Sequence, residues 1–248
     1  VVSEMYAYAA FLMVLGCFGM ETTFFRFSES NKTSKVFSTA FSFVCCNSVL
    51  LAIIGAVFYQ EIANIIQHNT HPEYVLFFTL IIALDLLTII PFAFLRHKNR
   101  AMKFVSIKTI NIIINISSNL FFLILCPYLI KQGILAQYLQ TIYNPSISIG
   151  YVFISNLIAS VVTVILLSKE IKLAFGRPDF SVLKKMLHYA WPILLGGLAF
   201  MINENIDKVL LKYLLPKGIA MRELGIYSAC YKLTIFMTLF VQAYRFAA

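Results

Sequence analysis

Apolar residues occur along this chain in seven runs, separated by shorter polar and charged connections. Each run is close to the length of about 20 residues that an α-helix needs to cross the hydrocarbon core of a membrane. Because a helix satisfies its own backbone hydrogen bonds in lipid, we expect all seven runs to be transmembrane helices. The predicted spans are residues 2–20, 36–58, 74–95, 104–126, 150–167, 188–214 and 224–246.

The connections alternate in basic content, which predicts their sides of the membrane. The first, third and fifth, taken with the adjoining helix ends, hold 13 Lys or Arg, whereas the second has none and the fourth has only Lys131. Since basic connections stay in the cytoplasm, we expect the odd ones to be cytoplasmic and the first residue to be external. The sixth connection, with Lys212, Lys217 and Arg222, departs mildly from this pattern.

Composition agrees with an integral membrane protein. The 248 residues are 60% hydrophobic and 12% charged, against roughly 25% charged in soluble domains. The net charge of +9 is dispersed over the loops, so we predict contact with anionic membrane lipids and no nucleic-acid partner. The sequence shows no cofactor motif, and the pair His68 and His71 lacks the third ligand of a metal site.

The sixth span carries charges that need partners or water. Glu204, Asp207, Lys208 and Lys212 share one face, because they fall within an arc of about 140° at 100° per residue. Each central charge costs about 2.5–3.5 kcal/mol on the insertion scale. Either Glu204 and Lys208 neutralise each other at i,i+4 spacing, or the face lines a hydrated path. We favour the path, since other spans also carry polar faces.

Five polar residues share one face of the fourth span, within an arc of about 100°. They are Lys108, Asn111, Asn115, Ser118 and Asn119. This face either lines a cavity or holds neighbouring helices together by hydrogen bonds. Asp85, near the middle of the third span, is either a partner in an ion pair or a proton or ion site.

Other features mark the ends of the chain and its longest basic connection. Glu21 ends the first span, and Lys232 lies inside the last. Pro192, Gly196 and Gly197 form a weak point where the sixth span should bend. In residues 169–187, Asp179 or Ser181 should cap a short interfacial helix that leads into that span.

Three stretches of the sequence resemble one family of transporters. They are "GMETTFFRF", "LDLLTIIPFAFLRHKNRAMKFVSIKTINIIINISSNLFF" and "INENIDKVLLKYLLP". They are similar to the polysaccharide biosynthesis or oligosaccharide flippase family, which includes O-antigen flippases and belongs to the multidrug/oligosaccharidyl-lipid/polysaccharide exporter superfamily. The similarity covers nearly the whole chain.

The resemblance implies an all-α membrane fold of two facing lobes, of which this chain would be a fragment. Residues 1–168 would be five helices of the N-terminal lobe, residues 169–187 a basic cytoplasmic linker, and residues 188–248 the start of the C-terminal lobe. The expected architecture is therefore about seven transmembrane helices in a partial two-lobe exporter.

The resemblance also implies a function. It predicts a transporter, not an enzyme, in the bacterial inner membrane, which moves a polyprenyl-pyrophosphate-linked oligosaccharide to the outer leaflet by alternating access. Polysaccharide-assembly proteins would be its partners, and it would need no cofactor. We assign the attraction of the substrate headgroup to Lys108, Lys208, Lys212 and Lys232. The polar lining of the cavity is assigned to Asn111, Asn115, Asn119 and Asn203. Charge balance or proton coupling is assigned to Glu21, Asp85, Glu204 and Asp207.

Two other functions remain open. A multidrug or cation exporter of the same superfamily would favour an acidic, aromatic cavity. A membrane glycosyltransferase or polymerase would need a large external loop with catalytic carboxylates or Arg, but the longest candidate, residues 128–149, has only Lys131 among charged residues.

Overall fold

Helices make up nearly all of the structure. The computed structural model describes residues 2–66, 72–132, 143, 150–216, 219, 222–234 and 237, and this part is 90% helical without a β-strand. A π-helical turn, Phe121–Leu125, continues one helix into the next, and residues 222–234 are also helical. The helices are α1 (Val2–Cys17), α2 (Met20–Ser30), α3 (Thr33–Val57), α4 (Tyr59–Ile65), α5 (Glu73–His97), α6 (Ala101–Leu120), α7 (Cys126–Lys131), α8 (Gly150–Leu166), α9 (Ser168–Ala174) and α10 (Phe180–Leu214).

The prediction of an all-α membrane protein is confirmed. Within the described residues, five helices are long and apolar enough to cross a membrane, and a sixth span results if the bent pair α8 and α9 counts as one. These helices overlap the first six predicted spans, the fifth of them only as the bent pair. Most of the seventh, at residues 224–246, lies outside the described residues, as do His68 and His71.

The first span is longer than the sequence predicted, and its backbone is interrupted. Phe18 and Gly19 have φ angles of 52° and 67° and separate α1 from α2. Helix then continues to Ser30, because buried side chains recur at helical spacing from Met20 to Ser28. At Gly19 a Cβ atom would lie 3.0 Å from a methyl carbon of Ile193, so glycine suits both the backbone and the packing there.

The sixth span also differs from its prediction. We expected a separate interfacial helix before this span, but α10 runs without a break from Phe180 to Leu214, with Pro192 inside it. Its predicted cap is present, since the carboxylate of Asp179 accepts hydrogen bonds from the backbone N–H groups of Ser181 and Val182, at 3.0 and 3.2 Å.

The chain divides into two compact units: Leu12–Leu195, and Val1–Phe11 together with Gly196–Ala248. In the first unit α5 is the central helix, because 61% of its most apolar stretch is buried. The corresponding fraction is 6% for the long helix from Ala101 to Lys131, which comprises α6, the π-helical turn and α7. α5 packs against α3 and α8, and α6 packs against α8. The predicted lobe boundaries at residues 168 and 188 stay predictions.

α8 and α9 meet at a bend of 62°. An apolar cluster fills the space around this bend and contains Phe92, Leu95, Ile107 and Leu167. Beside it, the ammonium of Lys103 donates to both carboxylate oxygens of Glu170, at 2.6 and 2.8 Å. The side chain of Glu170 is 3% exposed and that of Lys103 is 33% exposed, so this ion pair connects α6 to α9 through a buried carboxylate.

Candidate substrate cavity

A cavity of about 320 Å³ lies inside the first unit, among α2, α5, α6 and α8. The residues that line it recur at helical spacing, so each helix turns one polar face toward the space. Its lining residues are Met13, Glu21, Asp85, Thr88, Ile89, Phe92, Arg96, Phe104, Lys108, Asn111, Asn156, Ser160 and Thr163.

Asp85 places a carboxyl group at the middle of the third predicted span. It is the middle residue of α5 (Glu73–His97), about 18 Å from either helix end at about 1.5 Å per residue. The hydroxyl of Ser160, on α8, donates to its Oδ1 atom at 2.7 Å. This hydrogen bond uses one of the acceptor positions of the carboxylate and fixes the orientation of the side chain.

Lys108 supplies a cation to the same cavity. Its Nζ atom lies 4.4 Å from the centroid of the Phe92 ring, within the range of a cation–π contact. No carboxylate among the described residues forms an ion pair with it at 4 Å or less. The three N–H donors of Lys108 can therefore bind a guest in the cavity.

Arg96, the other cation of the cavity, already has partners on several sides. It forms an ion pair with Glu21 of α2. The rings of Phe25 and Phe104 lie 5.2 and 5.7 Å from its guanidinium carbon. Since these contacts are made within the protein, Arg96 joins α2 to α5 and has less capacity for a ligand than Lys108.

Asn111 joins α6 to α8 at the cavity wall. Its side-chain amide donates to the hydroxyl of Thr163 at 2.9 Å, and that hydroxyl donates to the carbonyl oxygen of Ala159 at 2.8 Å. An asparagine side chain has two N–H donors and an acceptor oxygen. The contact with Thr163 uses one donor, so Asn111 can still form hydrogen bonds with a guest in the cavity.

The structure brings four of the sequence-predicted site residues together: Glu21, Asp85, Lys108 and Asn111. Asn115 and Asn119 are absent from the lining. The amide of Asn119 donates to the backbone oxygen of Asn115 at 2.9 Å and to its Oδ1 atom at 2.7 Å. The polar face of the fourth span therefore divides into a cavity part and a part bonded within its own helix.

The predicted charged face of α10 lies in the other unit. There the hydroxyl of Tyr231 donates to Glu204 at 2.7 Å, and the hydroxyl of Tyr227 donates to Asp207. Asn203 and Lys232 are exposed. The side chains of Lys208 and Lys212 lie outside those that the structure describes.

The predicted hinge falls within a continuous helix. Pro192 is inside α10, and a Cβ atom added at Gly196 would meet nothing within 4 Å. Bending at Pro192, Gly196 and Gly197 stays a prediction.

Nine of the thirteen lining residues were not among the predicted site residues, and five of the nine are polar: Thr88, Arg96, Asn156, Ser160 and Thr163. Arg96 was counted only as a topology signal. Asn156, Ser160 and Thr163 lie on the fifth span at i, i+4 and i+7, within an arc of about 60°. That spacing was the signal that would have revealed a third polar helix face.

Fold and cavity together define a class: an all-α, multi-pass membrane protein with charged side chains around an internal cavity. A family model described as polysaccharide biosynthesis protein matches residues 1–244. The chain therefore belongs to the polysaccharide biosynthesis protein family, as the sequence resemblance suggested. Comparison with curated proteins found no match, and comparison with solved structures found none.

Proposed function

We propose that this protein is a flippase, a transporter that moves a polyprenyl-pyrophosphate-linked oligosaccharide across the bacterial inner membrane by alternating access. The observation that carries the proposal is the cavity, which holds Asp85, Lys108 and Asn111 inside a bundle of apolar helices. Family membership supports a role in polysaccharide biosynthesis. The two together favour transport of a glycan intermediate over synthesis of one.

The physical need for such a cavity follows from the substrate. Sugar hydroxyls and phosphates lose their hydrogen bonds to water when they enter hydrocarbon, at a cost of several kcal/mol for each unsatisfied group. Polar side chains around a cavity replace those bonds, while the polyprenyl chain stays in the lipid. Asn111, Thr163 and Lys108 offer the required donors and acceptors.

The expected orientation of the chain supports loading from the cytoplasm. Positive residues near the carboxyl end of α5 predict that this end is cytoplasmic. The α5 residues that line the cavity run from Asp85 to Arg96, so the cavity occupies the cytoplasmic half of that helix. Lipid-linked glycans that are built in the cytoplasm would enter from this side.

The remaining site residues keep their proposed roles. Lys208, Lys212 and Lys232 would attract the headgroup from the second unit, where Asn203 would add polar contacts. Glu204 and Asp207 would balance charge or couple transport to protons, as Glu21 and Asp85 would in the cavity.

A drug or cation exporter is the second candidate, because the cavity is not as cation-rich as the sequence suggested. It holds two carboxylates, Glu21 and Asp85, beside two cations, and its wall includes Phe92 and Phe104. A carboxylate near aromatic rings suits an organic cation. The two candidates differ in what accumulates when the protein is absent.

The deciding experiment deletes the gene that encodes this chain and analyses extracted lipids by mass spectrometry. We expect polyprenyl-pyrophosphate oligosaccharide to accumulate while surface polysaccharide falls, and the wild-type gene to reverse both changes. Unchanged lipids and surface glycan, together with new sensitivity to cationic drugs, would reject the flippase and favour the exporter.

A further inference from the structure

We propose that the cavity binds the saccharide part of the substrate, about one sugar ring at a time, and that the pyrophosphate lies elsewhere during transport. This inference rests on the proposed flippase function. It follows from the balance of charge in the cavity, from the hydrogen-bonding groups there and from the cavity volume.

The charge balance disfavours a pyrophosphate. Arg96 is paired with Glu21, so Lys108 is the cavity cation that has no carboxylate within 4 Å among the described residues. A pyrophosphate diester carries a negative charge on each of its two phosphates. Even with Asp85 protonated, one ammonium would face two negative phosphates, so one phosphate would lack a cationic partner among the cavity residues.

The hydrogen-bonding groups suit sugar hydroxyls, which both donate and accept. Asp85 has acceptor capacity beyond the bond from Ser160, and Lys108 offers only donors. Asn111 offers both kinds of group. Lys108 and Asn111 lie one turn apart on α6, so both face the same space. A sugar ring with hydroxyls on adjacent carbons offers both donors and acceptors to these three side chains.

The apolar part of the wall suits the remainder of a sugar ring. Phe104 lines the cavity next to the polar groups and offers aromatic surface, while Phe92, with its ring centroid 5.3 Å away, is 4% exposed and lies beneath Lys108. Small-ligand sites combine such aromatic surface with a few placed polar groups. The volume of about 320 Å³ is at the lower end of such sites, roughly 300–1,000 Å³, which admits a single ring more readily than a whole oligosaccharide.

The test uses the purified full-length protein in lipid nanodiscs and two probes. One is free oligosaccharide, released by mild acid from lipid of the deletion strain, and the other is polyprenyl pyrophosphate without sugar. Binding of the saccharide is measured by saturation-transfer NMR, with and without the second probe. We expect both probes to bind wild-type protein together, without competition.

Variants locate the saccharide site. We expect Asn111→Leu and Lys108→Met each to weaken saccharide binding about tenfold, because hydrogen bonds to the guest are lost, and to change polyprenyl pyrophosphate binding by less than about twofold. Thr109→Val, at an exposed α6 position outside the cavity lining, is the matched control. If a variant fails to fold, the competition measurement with the two probes on wild-type protein still tests the proposal.

Three results would overturn the inference: wild-type protein that does not bind the saccharide, mutual competition between the two probes, or variants that weaken the pyrophosphate probe as much as the saccharide. Lipid accumulation in the deletion strain is a separate measurement. If lipid accumulates and any of these results is found, the flippase stands and the saccharide assignment fails.

Discussion

Individual charged residues in the cavity show how a membrane interior can hold them. An isolated charge at the centre of a span is costly, and each charge here has a compensating contact. Asp85 accepts a hydrogen bond from Ser160, Lys108 lies over the Phe92 ring, and Arg96 pairs with Glu21. Of these three residues, Lys108 is the one whose contact is neither a hydrogen bond nor an ion pair, so we expect it to be the side chain most open to a substrate.

The first prediction concerns the charge of Lys108. Lys108→Met keeps the length and apolar stem of the side chain and removes its donors. We expect transport of lipid-linked oligosaccharide to fall about tenfold or more, as for the loss of a charge-assisted hydrogen bond. The measurement is the lipid-to-surface-glycan ratio in the complemented deletion strain at matched expression. Thr109→Val is the control, and full transport by Lys108→Met would remove Lys108 from the substrate path.

The second prediction concerns proton coupling by Asp85. Asp85→Asn keeps an oxygen that can accept from Ser160 but cannot change its charge. If Asp85 couples transport to protons, a protonophore should slow transport by the wild-type protein and leave the residual transport by the variant unaffected. Transport is measured in vesicles loaded with lipid-linked oligosaccharide. An equal protonophore response in both proteins would exclude this role.

At the scale of helices, close approach between α3 and α5 depends on small side chains. The hydroxyl of Ser48 donates to the carbonyl oxygen of Ala83 at 2.7 Å. At Gly55 an added Cβ atom would lie 2.2 Å from the Thr79 methyl carbon. Helices in lipid pack through such small residues, because lipid leaves little hydrophobic force to join them.

The third prediction tests this contact. Gly55→Ala should destabilise the protein by about 1–3 kcal/mol, the usual cost of overpacking, because the new methyl group overlaps Thr79 on a packed helix. Gly225→Ala is the matched control, since its Cβ atom would meet nothing within 4 Å. Thermal unfolding in detergent measures both. Equal melting temperatures for the two variants would contradict the close packing.

The fourth prediction concerns the ion pair between α6 and α9. The side chain of Glu170 is 3% exposed and that of Lys103 is 33% exposed. Lys103→Met should therefore destabilise the protein more than Glu170→Gln, because it leaves the buried carboxylate without its cation, at a cost of up to about 3–5 kcal/mol.

The double variant Lys103→Met, Glu170→Leu is the control for this pair. It removes both charges, so it should recover part of the loss in melting temperature. The reverse order, with Glu170→Gln the more harmful change, would show that the pair is not buried as described.

At the scale of the whole molecule, the orientation of the chain decides which side the cavity serves. The fifth prediction is that a green fluorescent protein fused after Lys98 will be fluorescent in the cytoplasm, and that alkaline phosphatase fused after Lys131 will be active outside it. Both follow from the distribution of basic residues. Activity of the phosphatase after Lys98 would invert the orientation and place the cavity in the outer half.

Sequence reasoning found most of the spans and part of the cavity. Length and apolar composition identified spans that correspond to five helices able to cross a membrane, and to a sixth if the bent pair α8 and α9 counts as one. Helical spacing identified Lys108 and Asn111 as members of one polar face. Helical spacing cannot distinguish polar residues that line a cavity from polar residues that hydrogen-bond within their own helix. The prediction therefore placed Asn115 and Asn119 in the same group as Lys108 and Asn111, although the Asn119 side chain bonds to Asn115.

The sequence by itself determined that this is an all-α membrane protein, because apolar runs of that length can satisfy their backbone in lipid only as helices. It also supplied the resemblance that the family match supports. Only the tertiary structure decided which polar faces meet. Asp85 is 75 residues from Ser160, and Arg96 is 75 residues from Glu21, so these two contacts depend on how α2, α5 and α8 pack. Local periodicity carries no information about such distant partners.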